Sequence, residues 1–241
     1  MTQPGIVVGL TAEARIARRT GWPVEVGGGT PSGAAMAAER LIAQGVSGLV
    51  SFGLAGGLSP LLLAGQIIVP SSVDVEGQVL EADPGLAHRL GGLSGHVLLA
   101  GRGIAATAAE KQVVHVVSAA DAIDLESGAV ALAAARHGVP FAILRAICDP
   151  AHRDLPPAAL VALDGGGAIG FVRVMVSVLS HPGQIRALIR LAGDAAAARR
   201  TLMDRADWIR RADVREPAGG PGGDTGGAIQ GAIQGTNQGP I

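Results

Sequence analysis

The sequence has no tyrosine, two tryptophans, three phenylalanines, a single cysteine and no marked excess of charge of either sign. Each shortage removes a class of function. Proteins that track single-stranded nucleic acid combine a basic groove with stacking rings. Here aromatics are 2% of 241 residues and the formal net charge is −1, so no nucleic-acid partner is predicted. The same balance gives no global attraction to an anionic membrane. One cysteine, Cys148, excludes an internal disulfide framework and a cysteine zinc site. Six histidines lie scattered without metal-ligand spacing, so no metal is predicted. No apolar run reaches the roughly 18 residues that a membrane-spanning helix needs. The N-terminal apolar stretch is too short for a signal peptide, and its arginines follow it. The chain reads as cytoplasmic.

What is present is small and aliphatic. Hydrophobic residues make up 48% and charged residues 16%, with 37 glycines, ample for one core in a domain of this size. Short apolar runs alternate with helical stretches. Ile6–Gly9, Val24–Val26 and Leu49–Gly53 read as strands, with a helix opening at Thr11 as its cap and another over 34–44 after Ser32. Val73–Val75 and the run starting at Ile67 read as strands without a helix between them. Helices over 84–90, 107–117 and 127–137 alternate with strands over 96–100, 122–125 and 141–147. Two more helical stretches are predicted, roughly 156–180 and 182–212. This order predicts a three-layer αβα fold around a central mixed, largely parallel twisted sheet. Residues 1–214 form the expected domain. From Arg215 onward the composition is that of a disordered tail: nine of the last 25 residues are glycine, and GAIQ occurs twice in tandem.

Three segments could carry chemistry. Gly27-Gly28-Gly29 precedes a helix whose N-terminus could hold an anion, although tight turns need glycine for steric reasons alone. Ser51 to Leu58 (SFGLAGGL) lies past a buried strand, where open α/β sheets bind ligands. Two apolar runs end in acids, at Asp124-Leu125-Glu126 and at Arg145-Ala146-Ile147-Cys148-Asp149, and both carboxylates should emerge on one rim of the sheet. Taken singly, Glu126 is a helix-dipole partner, Asp149 before Pro150 a turn former, and Arg145 a buried ion-pair partner.

Together they resemble a known signature. The string DLESGAVALAAARHGVPFAILRAICD is similar to the block that marks the nucleoside phosphorylase/nucleosidase superfamily, particularly its methylthioadenosine/S-adenosylhomocysteine nucleosidase branch. FGLAGGL, the glycine-led GQIIV and the opening IVVGLTAEA resemble further blocks of that family in the same order, over about residues 5–180. The GLTAEARIA opening, the triple glycine and SAADAIDLESGAVA are most similar to the hopanoid-biosynthesis-associated phosphorylase group.

The resemblance implies cleavage of the bond between an adenine and its ribosyl C1′. Asp149 would protonate the base and Glu126 would bind the ribose hydroxyls, with Leu125, Ala55, Gly56, Cys148 and Ile104 as further substrate contacts. Cys148 stands where the family has serine, and Ile104 lies where relatives carry an aromatic. Arg145 would organise the loop. Aligned on Gly9, the family's catalytic glutamate falls on Ala14, with Glu13 one position earlier as the base to test. Gly9, Arg15 and Arg102 are the candidates to hold inorganic phosphate, which as a co-substrate needs no base and would make the reaction phosphorolytic. The implied substrate is adenosylhopane, a lipid-linked nucleoside whose use would involve transient contact with the inner membrane. A hydrolase of small thionucleosides is the alternative enzyme, and a nucleoside-binding protein without turnover the alternative of another class. No organic cofactor is implied, and a homo-oligomer is expected.

Overall fold

The computed structural model describes residues 2–103, 105–156 and 185–215. Nine strands and six helices are placed among them: β1 (Gly5–Val8), α1 (Thr11–Ala17), β2 (Val24–Val26), α2 (Pro31–Ala43), β3 (Leu49–Gly57), β4 (Ile67–Ile68), β5 (Ser72–Val75), β6 (Gln78–Glu81), α3 (Pro84–Arg89), β7 (Val97–Ala100), α4 (Ala108–Ser118), β8 (Ala122–Asp124), α5 (Ser127–His137), β9 (Phe141–Asp149) and α6 (Ile185–Arg215). The predicted helix over 156–180 and the tail beyond 215 lie outside the described residues.

All nine strands join one mixed sheet in the order β2-β1-β3-β8-β7-β5-β6, with β9 beside β3 and β4 beside β9. The pairs β1/β2, β1/β3, β3/β9, β5/β7 and β7/β8 are parallel. Apolar layers cover both faces. On one, Ala14 and Ile16 of α1, Leu86 of α3 and Ala198, Leu202, Ala206 and Ile209 of α6 pack on Val50, Phe52, Leu144 and Ala146. On the other, Ala34, Ala38 and Leu41 of α2 and Val130, Ala131 and Ala134 of α5 pack on Val7, Leu49, Ile143 and Ile147. Burial on both sides explains why β3 and β9 read as nearly unbroken apolar runs. Among the described residues no helix is long and apolar enough to cross a membrane.

Both central strands outrun their predicted ends. β3 continues through Leu54-Ala55-Gly56-Gly57 because β9 accompanies it from Leu49 to Gly56 and β8 pairs with its last two residues. The glycine segment after Phe52 is therefore strand, not loop. The register shifts at Ala55/Gly56, where Ala55 faces Ile147 and Gly56 faces Asp149, so Cys148 is the additional residue of a β-bulge. Thr11 is not the cap of α1. That place falls to Leu10, whose N–H is taken by the Glu13 carboxylate at 2.9 Å. Thr30 caps α2 by accepting from Gly33 N at 3.1 Å, so the helix opens at Pro31 rather than after Ser32.

The topology opens a crevice. β9 lies along one edge of β3, so β1 and β8 share the other. β1 pairs there only as far as Ser51, and β8, running antiparallel, only with Gly56 and Gly57. The C-terminal ends of β1 and β8 thus approach each other along the intervening stretch of β3, which neither of them pairs. A break of this kind at strand ends is where α/β sheets bind ligands.

Candidate active site

Glu13, Asp124, Glu126 and Arg145 converge on that crevice. Arg145 projects from the middle of β9 and is 1% exposed. Its Nη2 donates to Ser51 Oγ at 2.7 Å and Ser127 Oγ at 3.0 Å and forms an ion pair with Asp124 Oδ2. Asp124, the last residue of β8, also accepts from Ser127 Oγ at 2.5 Å and from the Ser127 and Glu126 amides. This buried network holds the turn from β8 into α5 and so aims Glu126.

Glu126 Oε2 lies 3.7 Å from Arg145 Nη2. Burial pushes its pKa up to about 7, with Arg145 opposing and the neighbouring Asp124 and Glu13 reinforcing the rise. Its carboxylate rests against Gly9, where a Cβ would collide with Oε1. Glycine at position 9 therefore makes room for the carboxylate. Gly28 and Gly29, at φ +78° and +76°, adopt left-handed backbone that other residues resist, so turn geometry accounts for them. Gly27 lets α2 approach, since its Cβ would stand 2.8 Å from Ala34 Cα.

Glu13 is buried at the base of α1. One oxygen closes the helix start at Leu10; the other accepts the Leu54 N–H at 3.0 Å, in the stretch of β3 that neither β1 nor β8 pairs. The Glu13 carboxylate supplies the partner that a neighbouring strand would otherwise provide. A Cβ on Gly53 would stand 2.5 Å from Arg145 Nη1 and 2.6 Å from Glu13 Oε1, so glycine at this position lets both side chains lie against β3. Around Arg145 the carboxylates dominate: burial works against its charge, but Asp124, Glu126 and Glu13 together raise its pKa.

Asp149 ends β9, four residues beyond Arg145, or about 13 Å of extended strand. Burial raises its pKa, and the side chain of Lys111 opposes the rise. Lys111 Nζ sits 2.6 Å from Asp149 Oδ2 and is itself 1% exposed. Cys148 donates to Ala55 O at 3.6 Å, and burial pushes its thiol up to about 12, leaving it a neutral thiol at pH 7.

The residues singled out in the sequence separate into two groups. Glu13, Glu126, Arg145, Cys148, Asp149, Ala55, Gly56, Leu125 and Gly9 border the crevice or the strands that form it. Because β8 runs against β3 and β9, Glu126 enters from the end opposite to Asp149, not on a shared parallel rim. Arg15 is exposed on the outward side of α1. Arg102 pairs with Glu76 on the surface, with side chains 81% and 60% exposed. Ile104 lies outside the described residues. Asp124, Ser51 and Ser127 lie in the segments singled out in the sequence but are assigned no role there, and Lys111 is not singled out at all. A lysine inside an amphipathic helix reads as solvated unless a buried acid is known to face it. Among the described residues no group of three or more His, Cys, Asp or Glu side chains could hold a metal ion.

The architecture defined by this sheet and crevice is the three-layer nucleoside phosphorylase-type α/β fold. Solved structures that share it include nucleosidases and a futalosine hydrolase. One is the 5′-methylthioadenosine/S-adenosylhomocysteine nucleosidase of S. pneumoniae with a transition-state inhibitor (TM-score 0.62, 16% identity, 88% of this chain and 100% of that one). Another is the futalosine hydrolase of Helicobacter pylori (0.60, 15%, 86% and 98%). A third is the nucleosidase of Colwellia psychrerythraea in complex with adenine (0.58, 19%, 74% and 95%). No protein-family model matches the sequence, and no curated protein matches it.

Proposed function

We propose that this chain cleaves the N-glycosidic bond of an adenine nucleoside, with water as the nucleophile. The observation that carries this reading is the convergence of Glu13, Glu126 and Arg145 in the gap of β3, with Asp149 at the far end of the adjoining strand. The nucleosidase structures of the same fold, one of them holding adenine, support it.

Asp149 is the general acid. A proton from its carboxyl goes to N7 of the purine, the C1′–N9 bond breaks, and its electron pair is taken up by the neutral adenine that leaves. Burial keeps that proton on the acid to higher pH than a free aspartate would hold it. Glu126, as a carboxylate, accepts from two ribose hydroxyls at once. The positive charge that develops at C1′ meets a site where carboxylates outnumber the one arginine, a preorganised field of the right sign. Glu13 takes the proton of the attacking water as general base.

Phosphorolysis, the other course open to the sequence, requires a cation beside the reacting carbon. Arg145, the cation at that place, is already paired with Asp124, Arg15 is exposed on α1 and Arg102 is paired at the surface, while Glu13 and Glu126 would repel an anion there. The geometry thus supports hydrolysis better, whether the 5′ substituent is a small thioether or the lipid of adenosylhopane. The test is adenine release from methylthioadenosine and from detergent-dispersed adenosylhopane, each with and without phosphate. Release that does not depend on phosphate is expected; strictly phosphate-dependent release would overturn the hydrolytic reading. Adenine binding without release from either substrate would make the chain a nucleoside-binding protein.

A further inference from the structure

Lys111 has no place in the chemistry above, yet it is among the most deeply buried side chains of the described residues. It lies in the first turn of α4, and its three ammonium protons meet three acceptors: Asp149 Oδ2 at 2.6 Å, Arg153 O at 2.8 Å and Pro150 O at 3.2 Å. The same turn is joined to the segment after β9 by Asp154 Oδ1, which accepts from Ala108 N at 2.7 Å, and by Leu155 N, which donates to Ala106 O at 2.7 Å. Lys111 therefore closes a unit formed by the start of α4 and residues 149–155. Oδ1 of Asp149 has no hydrogen-bond partner among the described residues.

We propose that Lys111 is the positioning residue of the acid: it occupies Oδ2 of Asp149, leaving Oδ1 to carry the proton given to the base, and it stabilises the carboxylate formed as that proton leaves. This role rests on the reading of Asp149 as the acid. When the O–H bond at Oδ1 breaks and the N7–H bond forms, the carboxylate left behind is already paired with an ammonium. The charged groups that bear on Asp149 act in both directions. Lys111 of α4 and Arg153 of the following segment favour its ionised form, while Asp154 opposes them, and Arg153 is itself paired with Asp194 of α6. Burial favours the protonated form and outweighs the cations. The outcome is an acid that holds its proton to higher pH than a free aspartate does, with an ammonium already in place beside the carboxylate it becomes.

The test compares wild type with Lys111→Met, which keeps the length of the side chain and removes its charge. The Asp149 carboxyl is titrated by ¹³C NMR without substrate, its signal assigned by Asp149→Asn. The titration should move up by about one pH unit or more in Lys111→Met, and the basic limb of the kcat profile should move with it while kcat falls at least about tenfold. An unmoved titration overturns the role, whether or not the wild type cleaves nucleosides. A moved titration in a chain that releases no adenine supports the pairing and overturns the acid assignment instead. Should Lys111→Met not fold, the ¹⁵Nζ signal of Lys111 in the wild type decides. It should show a step at the titration of Asp149 that is lost in Asp149→Asn, and a trace without that step contradicts the pairing.

Discussion

Glu13 of α1 accepts the backbone N–H of Leu54 on β3 at 3.0 Å, a contact across 41 positions of sequence. It replaces a strand-to-strand hydrogen bond in the gap between β1 and β8 and fixes a carboxylate beside the buried guanidinium of Arg145. Its second oxygen, on Leu10 N, caps the helix that carries it. One side chain thus joins local folding to the reactive centre.

Glu13→Gln separates these duties, because an amide oxygen can still accept from Leu54 while the group loses its basicity. Adenine release should fall by about 10²- to 10⁴-fold, with a modest drop in melting temperature because the amide nitrogen cannot accept from the Leu10 N–H. Turnover near the wild-type level would remove Glu13 as the base.

Asp149→Asn should reduce base release by a comparable factor, about 10²- to 10⁴-fold, while nucleoside binding persists. A substrate whose leaving group departs without protonation should recover most of the lost rate. Steady-state kinetics on both substrate types checks this, and an undiminished kcat on adenine nucleosides contradicts it.

Glu126 makes stability fall as pH rises. Its folded pKa, about 7, exceeds the ordinary 4.5 of a glutamate, so the folded protein holds a proton that the unfolded chain gives up. The stabilisation is complete below about pH 4.5 and lost as pH rises through 7, a change on the order of 3 kcal/mol for this largely buried group. Asp149, also raised, acts in the same direction. Urea unfolding between pH 5 and 8 should show the decline, and Glu126→Gln should flatten it. Substrate affinity should rise over the same range, since ribose binding calls for the carboxylate.

Arg145→Met should destabilise by about 3–5 kcal/mol, the cost of breaking a buried ion pair from one side. It leaves Asp124 facing Glu126 and Glu13 without a counter-charge. A guanidinium chloride transition near that of the wild type would show that the network carries little of the fold.

The frame of the molecule was legible because its signal is periodic. Buried central strands read as apolar runs, and small-residue helices lie between them. Glu126, Arg145 and Asp149 could be found because they close apolar runs in a recognisable string. The gap in β3 could not be seen, since it depends on β8 running antiparallel, and no local pattern encodes strand direction. Helix α4 was legible in extent but not in orientation. Hydropathy would turn Val113, Val116 and Val117 inward, yet these are 63%, 74% and 81% exposed while Lys111 is buried. Lys111 is turned inward to Asp149, a partner that lies 38 positions away.

The most direct measurement is the fate of oxygen from the solvent. Methylthioadenosine is turned over in ¹⁸O-labelled water with phosphate present, and the sugar product is examined by mass spectrometry. The account predicts free adenine together with a sugar that carries one ¹⁸O at C1′, and loss of both in Glu13→Gln. A sugar 1-phosphate whose bridging oxygen is unlabelled, or no adenine at all, would contradict it.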